Sequence, residues 1–318
     1  YRDIQEGLAT QTVFPQNIMV ADTSGNIYYQ RTGRVPRRPE GYDWSRPVDG
    51  STSKTEWIGL HPPEDLLQVL NPPQGYMQNC NIPPDAMMVG SPFRLDKTLP
   101  YLFDDAPYGP NRSGWTNQRG ARAVQLLHND DSVTAEEARD YANDIQPYGV
   151  RQWIDVLRTA HEHFGDAHAG DADYEAAIED LLAWDLKLHK DSTAALKYYY
   201  WRRQLVDDYG RERASEMRRA GDYYASLGKE PPALDLSDDE YEAALASLPG
   251  AMAALRNDFG SLDATYGQKF RVGRDGQSWP LDGGGDGALG MQTLRSLGFS
   301  EERRPHPVGP GRTDFHAD

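Results

Sequence analysis

The sequence contains a single cysteine, an excess of acidic over basic residues, and no long apolar run. Because Cys80 stands alone among 318 residues, a disulfide within this sequence and a metal site built on several thiolates are both excluded. The 33 lysines and arginines are outnumbered by 49 acidic residues, which gives a net charge of −16. A nucleic-acid-binding face requires the opposite sign, so we expect no nucleic-acid partner. No apolar run approaches the roughly 18–20 residues of a membrane-spanning helix, and we expect no membrane partner.

Apolar content is low as well. Hydrophobic residues make up 38% of the sequence and the mean hydropathy is −0.75. This composition favours either a chain that packs against a partner or a chain with long polar loops. The length is compatible with one large domain or two.

Residues 1–118 are rich in proline and glycine and carry the predicted strands. Alternating apolar residues around a Gly-containing turn predict a β-hairpin over residues 12–35. Residues 36–75 predict an ordered loop region with one short helix near Pro63–Val69. Residues 76–82 predict a short strand, so this portion is interpreted as a β-rich and loop-rich part of the core.

Residues 119–258 are predicted to be mainly helical. A helix over Arg119–Leu127 opens this portion, and two capping boxes begin further helices, at Thr134 and Ser237. Residues 259–318 form a Gly- and Pro-rich return segment that is predicted to be mobile from about residue 283. The three portions together predict the fold class α+β, with a helical layer attached to a β-containing core.

Two side-chain amides stand one residue apart after a predicted turn, in the stretch Asn71-Pro72-Pro73-Gln74-Gly75-Tyr76-Met77-Gln78-Asn79-Cys80-Asn81. Amide N–H donors beside a sharp turn can point at a developing negative charge, which is what acyl transfer requires of an oxyanion hole. The alternative is that Asn79 and Asn81 only hydrogen-bond the backbone of the turn, as asparagines commonly do.

An ordered series of short motifs precedes this pair: Gln16–Ile27, Gly33-Arg34-Val35-Pro36, Pro47-Val48-Asp49-Gly50 and Glu56-Trp57-Ile58-Gly59. With the asparagine motif, the series resembles the β-subunit of the penicillin acylase family. The resemblance implies part of an αββα N-terminal-nucleophile hydrolase fold. It also implies an amidohydrolase that cleaves N-acyl amides of the penicillin, acyl-homoserine-lactone or lipopeptide type. Such an enzyme needs no organic cofactor and is periplasmic or secreted.

The resemblance also implies site residues. Asn81 matches the family's oxyanion asparagine, and Asn79 is expected to anchor the same segment. Arg119 matches the first arginine of the family's Arg-x-x-Arg helix, which lies near the catalytic amine. Arg122 lies one turn further along the same helix face and is the alternative for that role. An arginine that only forms a salt bridge remains an open interpretation for either position.

The family's nucleophile is a serine that self-cleavage leaves at the start of the β-subunit, and we find no match to it in this sequence. We therefore expect an internal β-subunit fragment that is inactive by itself. Its partners would be the N-acyl amide substrate, the α-subunit and the remainder of the β-subunit. A non-catalytic scaffold or binding module that lost the nucleophile segment is the alternative.

Metal binding stays open at this stage. The resemblance implies a possible structural calcium, but no ligand can be assigned among the nearby acids Asp85, Asp96, Asp104 and Asp105. A third hypothesis is a metal hydrolase built on the histidines His161, His163 and His168. Residues two apart on a helix point to different faces, and the pattern is not His-Glu-x-x-His, so this hypothesis is disfavoured.

Overall fold

A computed structural model describes residues 1–44, 46–103, 113–210, 223–274, 277–285, 287–295 and 306–307, and this part of the chain is α+β, as predicted. The helices are α1 (Arg2–Ala9), α2 (Pro100–Phe103), α3 (Gln118–His128), α4 (Ala135–Ala142), α5 (Val150–Phe164), α6 (Ala172–Ala183), α7 (Thr193–Tyr209), α8 (Asp238–Phe259) and α9 (Tyr266–Lys269). The strands are β1 (Asn17–Ala21), β2 (Ile27–Arg31), β3 (Gln68–Leu70), β4 (Phe270–Arg274), β5 (Gln277–Pro280) and β6 (His306–Pro307).

The predicted hairpin forms two strands of the first sheet. This sheet is antiparallel with the order β1-β2-β3, so the prediction for residues 12–35 is confirmed. The short helix predicted near Pro63–Val69 is confirmed only at its start. A single 3-10 turn at Pro63–Asp65 is followed by β3, in which Val69 pairs with Tyr29 of β2. Tyr29 is fully buried, so pairing with a central strand outweighs the local preference for a longer helix.

The helices after α3 enclose the main hydrophobic core. Helices α5, α6, α7 and α8 contribute most of it, including Trp153, Leu181, Trp201, Leu248 and Met252, each almost completely buried. Both predicted capping boxes are present, at the start of α4 and at the start of α8. Within the described residues, no helix has the length and apolar character needed to cross a membrane. The division of the chain after residues 118 and 258 stays a prediction.

The return segment packs against this core. The prediction of mobility from residue 283 is wrong for 283–285 and 287–295, where Leu289, Met291 and Thr293 are buried. The glycines permit this approach, because a Cβ on Gly284 would lie 2.3 Å from the carbonyl oxygen of Met291. Apart from residues 306–307, the remainder of the predicted tail lies outside the described residues.

Tyr148 and Gln118 fix helix α3 to its surroundings. The Gln118 Nε2 group donates to the carbonyl of Tyr148 at 3.1 Å, and its Oε1 accepts from the backbone N–H of Gln292 at 3.1 Å. The hydroxyl of Tyr148 donates to the carbonyl of Lys229 at 2.7 Å. Burial raises the pKa of Tyr148 to about 12, because the ionised side chain would lose its hydration at this position.

The buried hydroxyl of Tyr148 predicts a loss of stability at alkaline pH. An unfolded tyrosine has a pKa near 10, so the contribution of Tyr148 is complete below about pH 10. It should be lost as the pH rises through the folded value of about 12. The free energy of unfolding, measured with urea at pH 9 and pH 11, should therefore fall less between these pH values in Tyr148→Phe than in the unsubstituted chain. Tyr42→Phe, at an exposed tyrosine, is the control. An equal fall in the free energy of unfolding in Tyr148→Phe and Tyr42→Phe would contradict the prediction.

Candidate active site

The segment that carries the asparagine pair is a turn and not a strand. The strand predicted over residues 76–82 is wrong, because Asn81 has a φ of 59°, in the left-handed region that strand residues avoid. Asn79 holds this turn. Its Oδ1 accepts from the N–H of Asn81 at 3.0 Å, and its Nδ2 donates to the carbonyl of Ile82 at 3.2 Å. Both the oxygen and the nitrogen of the Asn79 side chain therefore form hydrogen bonds with backbone groups of the turn.

Arg119 reaches this turn from the first turn of α3. Its Nη2 donates to the carbonyl of Cys80 at 3.1 Å and to Oδ1 of Asn81 at 2.8 Å. A guanidinium group has only donors, so the oxygen end of the Asn81 amide must face it. The Nδ2 end carries two N–H donors and points away from Arg119. Asn81 is exposed, and its Nδ2 atom has no acceptor within the described residues.

The positive charge of Arg119 has no carboxylate partner in the described part of the chain. Its Nε atom is buried and makes no hydrogen bond to any described residue. Burial raises the pKa of the neighbouring Cys80 thiol, and the charge of Arg119 acts in the opposite direction. An amide donor and an unpaired cation therefore stand side by side, an arrangement that favours a negative charge placed against them.

Asn117 caps the helix that presents Arg119. Its Oδ1 accepts from the N–H of Gly120 at 2.8 Å, and its Nδ2 donates to the carbonyl of Cys80 at 2.8 Å. A Cβ at Gly120 would lie 3.0 Å from Cγ2 of Ile82, so glycine lets the turn lie directly against the helix. Asn117 is not among the site residues predicted from the sequence. Its position two residues before Arg119, where asparagine is a favoured N-cap, was the available signal.

Arg122 lies one turn further along α3 and has different partners. Its Nε and Nη2 atoms pair with the carboxylate of Asp144 at 3.3 and 2.9 Å, and its Nη1 donates to Gln125 at 2.8 Å. Both members of the ion pair are mostly buried. The i, i+3 spacing therefore does not bring the two arginines to one site, since Arg122 is neutralised by Asp144 while Arg119 contacts the turn.

Among the described residues, the acids considered as calcium ligands form no group that would hold a metal ion, although Oδ1 of Asp85 is buried without a hydrogen-bond partner there. Oδ2 of Asp85 accepts from the hydroxyl of Ser113 and the N–H of Gly114, each at 2.7 Å. Asp96 is exposed and pairs with Arg94 at 2.9 Å. Asp104 and Asp105 lie outside the described residues. The possible structural calcium therefore stays a prediction without assigned ligands.

The histidines of the third hypothesis contact aromatic side chains. Nδ1 of His161 lies 2.6 Å from the hydroxyl of Tyr174, and the ring of His168 stacks on Tyr174 at 4.8 Å. His163 packs edge-on against Phe164. In the described ranges, no three or more His, Cys, Asp or Glu side chains come together as a metal ion would require.

Comparison with known proteins decides the family. Residues 1–298 match the family model described as penicillin amidase. The chain belongs to the penicillin amidase family. Membership confirms the resemblance drawn from the ordered motifs.

Two penicillin amidase relatives are similar over parts of their lengths. The penicillin acylase 2 proenzyme of Pseudomonas sp. (strain SE83) is 25% identical over 304 residues, which is 95% of this chain and 33% of that protein. The penicillin G acylase of Escherichia coli is 46% identical over 171 residues, which is 53% of this chain and 18% of that protein. The matches thus span a third or less of these curated relatives. Among solved structures, a thermostable penicillin G acylase from Alcaligenes faecalis is 18% identical with a TM-score of 0.49, covering 89% of this chain and 52% of that chain.

The different partners of the two arginines predict different costs of removing them. Arg122→Ala would leave the mostly buried Asp144 without its countercharge, which should lower the free energy of unfolding by roughly 2–3 kcal/mol. Arg119→Ala leaves no acid unpaired and should cost less. Urea unfolding of both variants at pH 7 measures this difference. In Arg122→Ala/Asp144→Asn much of the loss should be recovered, and a larger loss for Arg119→Ala than for Arg122→Ala would contradict the assignment.

Proposed function

We propose that the chain is part of an N-acyl amide hydrolase in which Asn81 stabilises the oxyanion of the tetrahedral intermediate. The orientation of the Asn81 amide carries this proposal. Arg119 holds the oxygen end at 2.8 Å, so both N–H donors of Nδ2 are available to a substrate oxygen. Family membership supports the same chemistry, because amide hydrolysis places negative charge on the former carbonyl oxygen.

The proposed nucleophile is an N-terminal serine freed by self-cleavage of a precursor, supplied by the polypeptide outside these 318 residues. Its α-amine, with an ordinary pKa of about 7.7–8.0, takes the hydroxyl proton as the oxygen attacks the amide carbon. The oxyanion accepts from Nδ2 of Asn81, then collapses as the leaving amine takes a proton. Water hydrolyses the acyl ester and frees the acid. The mechanism uses no organic cofactor.

Arg119 acts on this step through Asn81 and through its charge. Because the guanidinium donates to both Cys80 and Asn81, it fixes the direction of the amide before the charge develops. A preorganised donor needs no reorientation during the reaction, which is the main source of its stabilising effect. Asn79 fixes the turn itself and makes no contact that would reach a substrate.

The proposed substrates are amides of a carboxylic acid with a small amine. Both similar proteins are described as penicillin acylases, so penicillins and related antibiotics are the first substrates to test. Acyl-homoserine lactones and lipopeptides contain the same bond and belong to the same proposal. The α-subunit and the remainder of the β-subunit would complete an αββα core around the described sheets, in the periplasm or outside the cell.

Substitution of Asn81 tests the oxyanion role in the full-length enzyme that contains this chain. Asn81→Ala should lower kcat roughly 10²–10³-fold with little change in KM, because the lost donors act on the intermediate. Asn79→Ala should instead lower the midpoint of thermal unfolding. The readout is release of a chromogenic amine from phenylacetyl and long-chain acyl amides.

The matched control is Asn143→Ala, at an exposed asparagine that donates to the carbonyl of Arg139. It should leave kcat unchanged. If Asn79 proved to be the kinetically sensitive position and Asn81 neutral, the proposed roles would be reversed. If the full-length enzyme hydrolysed none of the amides, the scaffold interpretation would replace the proposal.

Arg119 should be more sensitive than Arg122 in the same assay. Arg119→Ala frees the Asn81 amide to rotate and should lower kcat at least tenfold, whereas Arg119→Lys keeps a cationic donor and should recover part of the activity. Arg122→Ala should change kcat little at a temperature where the variant is folded. Full kcat/KM in Arg119→Ala with a short and a long acyl substrate would refute the role given to Arg119.

A further inference from the structure

We propose that Asn117 is a positioning residue for the oxyanion amide, and that it acts by clamping the Cys80 carbonyl against the start of α3. This inference rests on the proposed function of Asn81. It assigns Asn117 a task beyond capping the helix, although Asn117 itself touches neither Asn81 nor a substrate.

The Cys80 carbonyl is the shared point of attachment. It accepts from Nδ2 of Asn117 at 2.8 Å and from Nη2 of Arg119 at 3.1 Å, and a carbonyl has two lone pairs for two such donors. This carbonyl belongs to the rigid peptide unit that ends at the Cα atom of Asn81. Fixing its oxygen therefore fixes the backbone from which the Asn81 side chain extends.

Asparagine suits this position because one short side chain must accept and donate at once. Its Oδ1 accepts from the N–H of Gly120, and its Nδ2 points at the carbonyl of Cys80. Aspartate is an equally good N-cap, but its carboxylate has no hydrogen to donate. Serine also caps well, but its single oxygen lies at the cap and does not reach the carbonyl with a separate donor. Exchange of the residue thus separates the two tasks.

Loss of the clamp should destabilise the backbone conformation of Asn81, which residues other than glycine rarely adopt. With a φ of 59°, Asn81 is held by Asn79 from one side and by the contacts to α3 from the other. Without the donor of Asn117, the guanidinium of Arg119 alone would hold the carbonyl and the amide. The turn should then open more often, and the amide should spend less time in the direction that the reaction needs.

The single cysteine of the chain reports on this opening. Cys80 is partly buried, so local opening of the turn should speed the modification of its thiol by a disulfide reagent. In the 318-residue chain, Asn117→Ser and Asn117→Asp should raise the rate of modification several-fold with little change in the midpoint of thermal unfolding. Thr134→Ala removes the N-cap of α4 and is the matched control; it should lower the unfolding midpoint without changing the rate.

Kinetics in the full-length enzyme complete the test. Asn117→Ser should lower kcat roughly tenfold and leave KM unchanged, because a misplaced amide weakens stabilisation of the intermediate and not substrate binding. If Asn117→Ser and Asn117→Asp both kept the unsubstituted rates of thiol modification and turnover, Asn117 would be a helix cap only. Failure of the proposed function has a different signature: Asn81→Ala would be harmless, whereas the thiol of Cys80 would still become more reactive in Asn117→Ser.

Discussion

One cation with two acceptors organises the candidate site. Arg119 donates to the carbonyl of Cys80 and to the side-chain oxygen of Asn81, and no carboxylate among the described residues neutralises it. Because a guanidinium cannot accept a hydrogen bond, this contact selects one of the two orientations that an asparagine amide can adopt. The orientation exposes two N–H donors, and the charge behind them favours an anion. The chemistry of the site follows from this single choice.

The surroundings of α3 supply what this contact requires. Asn117 begins the helix, Gly120 allows the turn to lie against it, and Gln118 ties it to Tyr148 and to the return segment. Asn117, Gln118 and Arg119 are consecutive at the start of the helix, so their side chains point in different directions and bind different parts of the fold. Hydrogen bonds from Gln118 to Tyr148 and from Arg122 to Asp144 hold the start of α3 in place. Arg122 contributes to this support, because it forms a mostly buried ion pair with Asp144.

Local signals predicted the helices well and the turn poorly. The capping boxes at Thr134 and Ser237 depend on contacts within four residues, so the sequence contains all the information that they need. The path of residues 76–82 depends on Asn79 bonding its own backbone and on α3 almost forty residues later. The local sequence does not reveal such contacts, and a strand is predicted where the structure has a turn. The buried return segment was missed for a similar reason, because Leu289 and Met291 pack into a core formed by distant helices. Spacing could not separate Arg119 from Arg122, since only the position of Asp144 distinguishes them.

The central claim is that Arg119 acts through the Asn81 amide, and a double-mutant cycle in the full-length enzyme tests it most directly. The kcat of Asn81→Ala, Arg119→Ala and Asn81→Ala/Arg119→Ala would be compared with that of the unsubstituted enzyme on one chromogenic acyl amide. Two residues that act as a unit give effects that do not add. The account predicts that Arg119→Ala slows the Asn81→Ala enzyme far less than it slows the unsubstituted enzyme, because only the direct effect of its charge is then left to lose. A double variant slowed by the product of the two single effects would show that Arg119 acts independently of Asn81, and would contradict the account.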